Sequence, residues 1–226
     1  MQIKIAPSIA RTDLLNLEQE IHNLEKAKVD LIHIDITDTS YSKTIWLSPA
    51  LLPAIHRITN IPLDVHILID DPEKIFSAIL PYCKKNDYVC VQLETTKDAA
   101  KLLNMIRNAG CIPALAVNVG TPENILDALV PYADMVNIIV RCIGCPAKEL
   151  NKRTLDKIQN IRRLFDDNGR PEVEIEVDGS IGYDDAVLTV EKGANILVLG
   201  TKIAFRPGHT YLENCNELRD RLKILS

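Results

Sequence analysis

The stretch DLIHIDI (30–36) decides how the rest of the chain is read. It is short and rich in β-branched residues, as a strand should be, yet it carries His33 and Asp35 two positions apart. Side chains two apart on a strand share a face, so both polar groups point into whatever that face covers. PLDVHIL (62–68) has the same character and holds His66. Working outward, strands are predicted at IKIAP (3–7), DYVCVQL (87–93), IPALAVN (112–118), DMVNIIV (134–140), VEIEV (173–177) and NILVLG (195–200), eight in all. Helical spacing lies between them, as in Leu14, Leu17, Ile21 and Leu24, then Leu102, Leu103 and Ile106, then Leu155, Ile158, Ile161 and Leu164. A helix is expected after every strand. Strict alternation implies a parallel sheet with right-handed crossovers, and eight units in 226 residues fit a (β/α)8 barrel better than an open doubly wound sheet. An open sheet would more often carry a glycine-rich first turn, and here that turn reads APSIAR. No linker rich in Gly, Ser or Pro interrupts the series, so the α/β chain is read as one barrel domain over residues 1–226.

Composition narrows the function. A net charge of −5 with 4% aromatic residues leaves no broad basic surface, so a small molecule is expected as partner and nucleic acid is not. No apolar run reaches the roughly 18 to 20 residues of a membrane span, and the opening MQIKIAPSIA lacks a long apolar stretch, so no membrane partner and a cytoplasmic location are expected. Six cysteines (Cys83, Cys90, Cys111, Cys142, Cys145 and Cys215) are scattered through a chain too long to need staples, and reduced thiols are expected. Cys142 and Cys145 form a C-x-x-C without a second pair or a nearby histidine, which favours ordinary thiols over a redox or zinc motif.

In such a barrel the active site lies at the C-terminal strand ends. Those ends are polar: Ser8, then His33 and Asp35, His66, Gln92 and Glu94, Asn118, and Asp178. His33, Asp35, His66 and Asp178 would converge on one mouth. Two imidazoles and two carboxylates suit one borderline divalent ion per subunit, Zn²⁺, Fe²⁺, Mn²⁺ or Co²⁺, better than Mg²⁺ or Ca²⁺. A metal beside two carboxylates points to proton transfer next to a carbonyl. An ion there would polarise the carbonyl and stabilise the enediolate, while carboxylates from strands two and seven could approach the carbon from opposite sides.

APSIA (6–10), HIDITD (33–38), PLDVHIL (62–68), EIEVDGS (174–180) and VLGTKIAF (198–205) together resemble the ribulose-phosphate 3-epimerases and the allulose-6-phosphate 3-epimerases along the whole chain. The resemblance implies a ribulose-phosphate-binding type of barrel with one divalent metal on His33, Asp35, His66 and Asp178. It implies Asp35 and Asp178 as the acid/base pair and Ser8 as a substrate contact, beside His66. It also implies a phosphorylated ketose as substrate and a homodimer or homohexamer. D-ribulose 5-phosphate and D-xylulose 5-phosphate are the expected pair. A related sugar phosphate such as D-allulose 6-phosphate is the alternative, as is a non-catalytic barrel that binds metal and sugar phosphate. Decarboxylase and synthase barrels do not call for this ligand set.

Departures from the family pattern mark where substrate recognition is open. The glycine-rich phosphate loop after strand six, NPGFGGQ-like in the family, reads CIGCPAK (142–148). Pro146 has no N–H to donate and Ala147 brings a Cβ, so Gly144 is what remains of that amide nest. Gly179 and Ser180 after strand seven, with Gly200 and Thr201 after strand eight, keep the rest of a phosphate site. Arg141 and Lys148 flank the altered loop and are candidate phosphate or lid contacts. The loop after strand two is DTSYSKT (38–44) where the family has DGHFVPN, Thr37, Leu68 and Ile139 or Val140 stand where methionines usually line the pocket, and Gln92 replaces a common histidine. Trp46 is expected to pack or to meet a neighbouring subunit rather than to stack on a sugar.

Overall fold

The computed structural model describes residues 2–40, 43–141 and 149–223. Eight strands form one parallel sheet: β1 (Lys4–Pro7), β2 (Ile32–Thr37), β3 (Leu63–Leu68), β4 (Tyr88–Gln92), β5 (Ile112–Val117), β6 (Met135–Ile139), β7 (Glu174–Asp178) and β8 (Ile196–Leu199). From β2 to β8 each strand pairs with its sequence neighbours, and β1 pairs with β8. The remaining seam, between β1 and β2, is closed by a parallel bridge from Ser8 to His33 and by Ile5 O accepting from Asp30 N and Leu31 N at 3.0 and 3.2 Å. The Asp30 carboxylate accepts from Ile5 N at 2.8 Å, so one side chain does what a longer ladder would do. The eight predicted strands are the eight observed ones, and the sheet is the expected barrel.

The α-helices that follow the strands are α1 (Leu17–Lys26), α2 (Leu52–Ile58), α3 (Phe76–Ile79), α4 (Ala99–Asn108), α5 (Lys152–Asp167), α6 (Tyr183–Glu191) and α7 (Tyr211–Leu222). The expectation of a helix after every strand needs one correction: the connection after β5 is a 3-10 helix, Glu123–Leu129, and not an α-helix. It is bracketed by Pro122 and Pro131, and Pro131 has no N–H to extend an i to i−4 ladder. Leu14 likewise falls outside its predicted helix, in a short 3-10 turn where it is half exposed, and α1 buries Ile21 and Leu24 instead. No helix among the described residues is long and apolar enough to cross a membrane.

Two apolar clusters result. The larger lies between sheet and helices, and the smaller fills the lumen with Ala6, Leu31, Tyr88, Cys90, Ala114, Ala116, Met135, Ile196 and Val198. At the N-terminal end Lys4, Tyr88 and Glu174 plug the lumen, with Lys4 Nζ donating to Tyr88 Oη at 2.8 Å and Tyr88 Oη donating to Glu174 at 2.6 Å. The described cysteines Cys83, Cys90, Cys111 and Cys215 are free thiols, whereas Cys142 and Cys145 lie outside the described residues. Trp46 packs against the core with the Arg11 guanidinium 4.3 Å from its ring centroid. A stacked cation occupies a face that a sugar would otherwise use.

Candidate metal centre and active site

Three strands bring paired polar residues into the lumen at i and i+2: His33 and Asp35 on β2, Asp64 and His66 on β3, Glu176 and Asp178 on β7. Parallel register sets His33 beside Asp64 and Asp35 beside His66. The upper pairs face the C-terminal mouth and the lower groups lie beneath them. His33, Asp35, His66 and Asp178 each contribute an atom to a set lying within 4.8 Å of one another. His33 Nε2 is 3.1 Å from Asp35 Oδ1 and 3.9 Å from Asp178 Oδ2, and His66 Nδ1 is 3.4 Å from Asp35 Oδ1. Ser8 Oγ donates to the other oxygen of Asp35 at 3.1 Å, so the residue at the β1 end touches the site directly.

Each imidazole is oriented by the nitrogen that faces away from this set. His33 Nδ1 meets the buried Asp64 carboxylate, leaving Nε2 for the site. His66 Nε2 lies 3.0 Å from Gln92 Oε1, leaving Nδ1. Carbonyl and carboxylate partners on the outer nitrogen are what metal-bound histidines use to fix their tautomer. His66 Nδ1 is buried and has no hydrogen-bond partner, an orphan that a cation would satisfy. The residues present therefore fit a divalent ion.

Electrostatics agree. Burial alone would discharge His33, but Asp35 and Asp64 outweigh it and hold its imidazole well above the usual histidine range. Burial also opposes charge on Asp35, yet the His33 imidazole beside it holds it well below the usual carboxylate range. Burial pushes Asp178 up, with His33 opposing and Asp35 reinforcing the shift. Two carboxylates at one partly exposed mouth thus sit in environments that shift them in opposite directions.

The Ribulose-phosphate 3 epimerase family model matches residues 4–204, which contain every one of these groups. The chain belongs to the ribulose-phosphate 3-epimerase family. The ribulose-phosphate 3-epimerase of Bacillus subtilis is 31% identical over 202 residues, covering 89% of this chain and 92% of that one. That of Chlamydia pneumoniae is 32% identical over 198 residues, covering 87% and 85%. Among solved structures, a variant of the tryptophan synthase α-subunit from Pyrococcus furiosus superposes with a TM-score of 0.68 over 99% of both chains at 14% identity, a likeness of fold alone.

In this member of the ribulose-phosphate 3-epimerase family the expected phosphate contacts fall on the segments after β6, β7 and β8. Gly144 and Lys148 lie outside the described residues, as do Tyr41 and Ser42 of the loop after β2. Gly179 and Ser180 form the turn after β7 with φ of +134° and +54°. A Cβ on Gly179 would stand 3.0 Å from Arg141 N and 3.2 Å from Val140 Cγ2, so glycine is favoured there by conformation and by these tight contacts. Gly200 and Thr201 follow the adjacent β8 and open a helical turn in which Gly200 O accepts from Ile203 N and Phe205 N, both at 3.2 Å. Arg141 turns inward. Its guanidinium donates to Gly179 O at 2.8 Å, to Ser180 O at 3.2 Å and to Asp185 at 2.8 Å, bracing the β7 turn.

Two buried groups beneath this four-residue set escaped sequence reading. Asp64 orients His33, and Glu176 lies with them inside the same 4.8 Å cluster distance. Burial, with Asp64 beside it, holds Glu176 well above the usual carboxylate range. The available signal was the repeated i, i+2 spacing, since Asp64 precedes His66 and Glu176 precedes Asp178 by two on the same strand face.

Proposed function

We propose that this chain is a metal-dependent 3-epimerase of ketose phosphates, interconverting D-ribulose 5-phosphate and D-xylulose 5-phosphate by proton transfer at C3. The observation that carries the reading is the meeting of Asp35 and Asp178 at one histidine nitrogen, from strands that reach the mouth from different sides. A divalent ion held by His33, Asp35, His66 and Asp178 supplies, when bound, the Lewis acidity that a C–H beside a ketone needs before a carboxylate can remove its proton. One aspartate takes the C3 proton on one face, giving a planar enediolate. The other returns a proton on the opposite face, and the roles exchange with reaction direction. Atoms balance, since one proton leaves and one arrives.

Ser8, which already donates to Asp35, contacts a substrate hydroxyl beside His66. Gly179, Ser180, Gly200 and Thr201 anchor the phosphate through the turns after β7 and β8. Anchoring the far end of the substrate places C3 between the two aspartates, and binding energy remote from the reacting carbon is thereby used for orientation.

The test is isotope exchange. Protein loaded with Fe²⁺, Mn²⁺, Co²⁺ or Zn²⁺ is incubated in D₂O with ribulose 5-phosphate, xylulose 5-phosphate and allulose 6-phosphate, and deuterium at C3 is followed by NMR. Exchange fastest with the pentulose phosphates is the expected result. Exchange fastest with allulose 6-phosphate would reassign the substrate, and none with metal bound would remove the catalytic reading.

A further inference from the structure

A hydrogen-bonded chain runs from the buried face of α5 to His66, and each link fixes the direction of the next. Lys157 is a lysine with only 4% of its surface exposed, and its Nζ donates to two backbone carbonyls, Asn118 O and, at 2.6 Å, Thr121 O. The turn after β5 is thereby clamped with its donors aimed at Glu94: Asn118 N at 2.8 Å and the Thr121 hydroxyl both donate to Oε1. The other oxygen of Glu94, Oε2, accepts from Gln92 Nε2. Gln92 is fully buried, and its Oε1 lies 3.0 Å from His66 Nε2.

The polarity of this chain is dictated at its Glu94 end. A carboxylate accepts and an amide group has one donating and one accepting end, so Gln92 must turn its NH₂ to Glu94 and its carbonyl to His66. A carbonyl can only accept, so the His66 proton must sit on Nε2. His66 Nδ1 is then the lone pair left facing Asp35, and it is among the buried atoms without a hydrogen-bond partner. Were Gln92 reversed, its NH₂ would face Nε2, the proton would move to Nδ1, and the nitrogen at the metal site would carry a hydrogen. The same logic on His33 needs one step, because Asp64 touches its Nδ1 directly.

We propose that Glu94 is a positioning residue that acts through Gln92 to hold His66 in its Nε2-protonated tautomer, with Lys157 anchoring the turn that orients Glu94. This rests on the reading of His66 as a metal ligand. The hydrogen bonds of Glu94 go to Gln92, Asn118 and Thr121, so its effect on His66 must travel through the amide.

The experiment is ¹⁵N-detected NMR of the histidine rings in the metal-stripped protein, combined with Co²⁺ titration read by absorbance. Wild type is expected to show His66 protonated on Nε2. Glu94→Gln offers one accepting oxygen where the carboxylate has two, so it is expected to populate the Nδ1–H form and to weaken Co²⁺ binding about tenfold, the lower end of the effect of losing an outer-shell partner. Gln92→Glu added to Glu94→Gln places an all-accepting group beside His66, with the new amide at position 94 donating to it. This double variant is expected to recover the tautomer and to bind Co²⁺ within about threefold of wild type. A merely structural role for Glu94 would not be repaired by a second charge-altering change. Wild-type His66 protonated on Nδ1 would overturn the proposal, as would a Glu94→Gln protein, folded by thermal melt, with unchanged tautomer and affinity. A His66 Nδ1 resonance unmoved by Zn²⁺ in wild type would instead remove His66 from the metal site, and the Glu94 coupling would then be judged by the tautomer alone.

Discussion

Asp35 and Asp178 approach one atom, His33 Nε2, at 3.1 and 3.9 Å, from strands separated in the barrel by β1 and β8. Neighbouring strands would present both carboxylates from the same side. In the proposed reaction this separation would let one group meet each face of a flat intermediate.

Replacing either aspartate by asparagine should therefore separate the two half-reactions. Asp178→Asn is expected to lower epimerisation by about 10²- to 10⁴-fold, the usual worth of a positioned acid or base. C3 exchange in D₂O should survive for one epimer only, and Asp35→Asn should leave it for the other. Exchange of both epimers at wild-type rates in a metal-loaded Asp178→Asn protein would dismiss the two-carboxylate mechanism.

Metal binding should strengthen as pH rises. His33 is held well above the usual histidine range, against the opposing effect of burial, by Asp35 and Asp64, and its proton competes for Nε2. Its charged form contributes stability below the unfolded histidine pKa of about 6.5 and loses that contribution as pH climbs through the raised value. Releasing one proton per ion bound steepens the affinity by up to about tenfold per pH unit while His33 is protonated. Isothermal titration with Co²⁺ between pH 6 and 9, in buffers of different ionisation enthalpy, counts the protons released.

Metal removal should also lower thermal stability. An ion at 100 times its Kd adds about 2.7 kcal/mol to the folded state, so melting with and without chelator should differ by several degrees. Coincident melts at saturating metal would argue that no ion binds the folded chain.

Asp64→Asn places an amide beside His33 Nδ1 where a carboxylate now accepts. Metal affinity is expected to fall about 10- to 100-fold through loss of this outer partner. Circular dichroism checks that the fold persists, and a chelator-competition titration reads the affinity.

Gly179→Ala should act on the substrate rather than the metal. The added Cβ meets Arg141 N at 3.0 Å, and φ of +134° is a conformation that alanine rarely adopts. The turn after β7 is strained, so KM for a ketose phosphate is expected to rise more than metal affinity falls, because three of the four side chains of the proposed metal set lie on β2 and β3 and only Asp178 adjoins that turn.

Much of this was readable from spacing. All eight strands, the mouth at their C-terminal ends and the gathering of His33, Asp35, His66 and Asp178 follow from alternation and from polar residues at or near the C-terminal ends of apolar runs. The 3-10 crossover after β5 was harder, because a helical stripe in ENILDAL looks the same whichever ladder closes it, and the flanking prolines decide. Arg141 carried the right charge for a phosphate, yet Asp185, distant in sequence, draws its guanidinium to the β7 turn.

By itself the sequence determined which side chains share a face, since a period of two is built into every strand and needs no partner to express it. Only the tertiary structure decided which atoms of those side chains meet. The use of Nε2 on His33 and Nδ1 on His66, the closure of β1 against β2, and the chain from Lys157 to His66 all depend on groups brought together by strand register and barrel closure. Hydrogen bonds and charges act over a few ångströms through space, and the residues they join here are up to tens of positions apart along the chain.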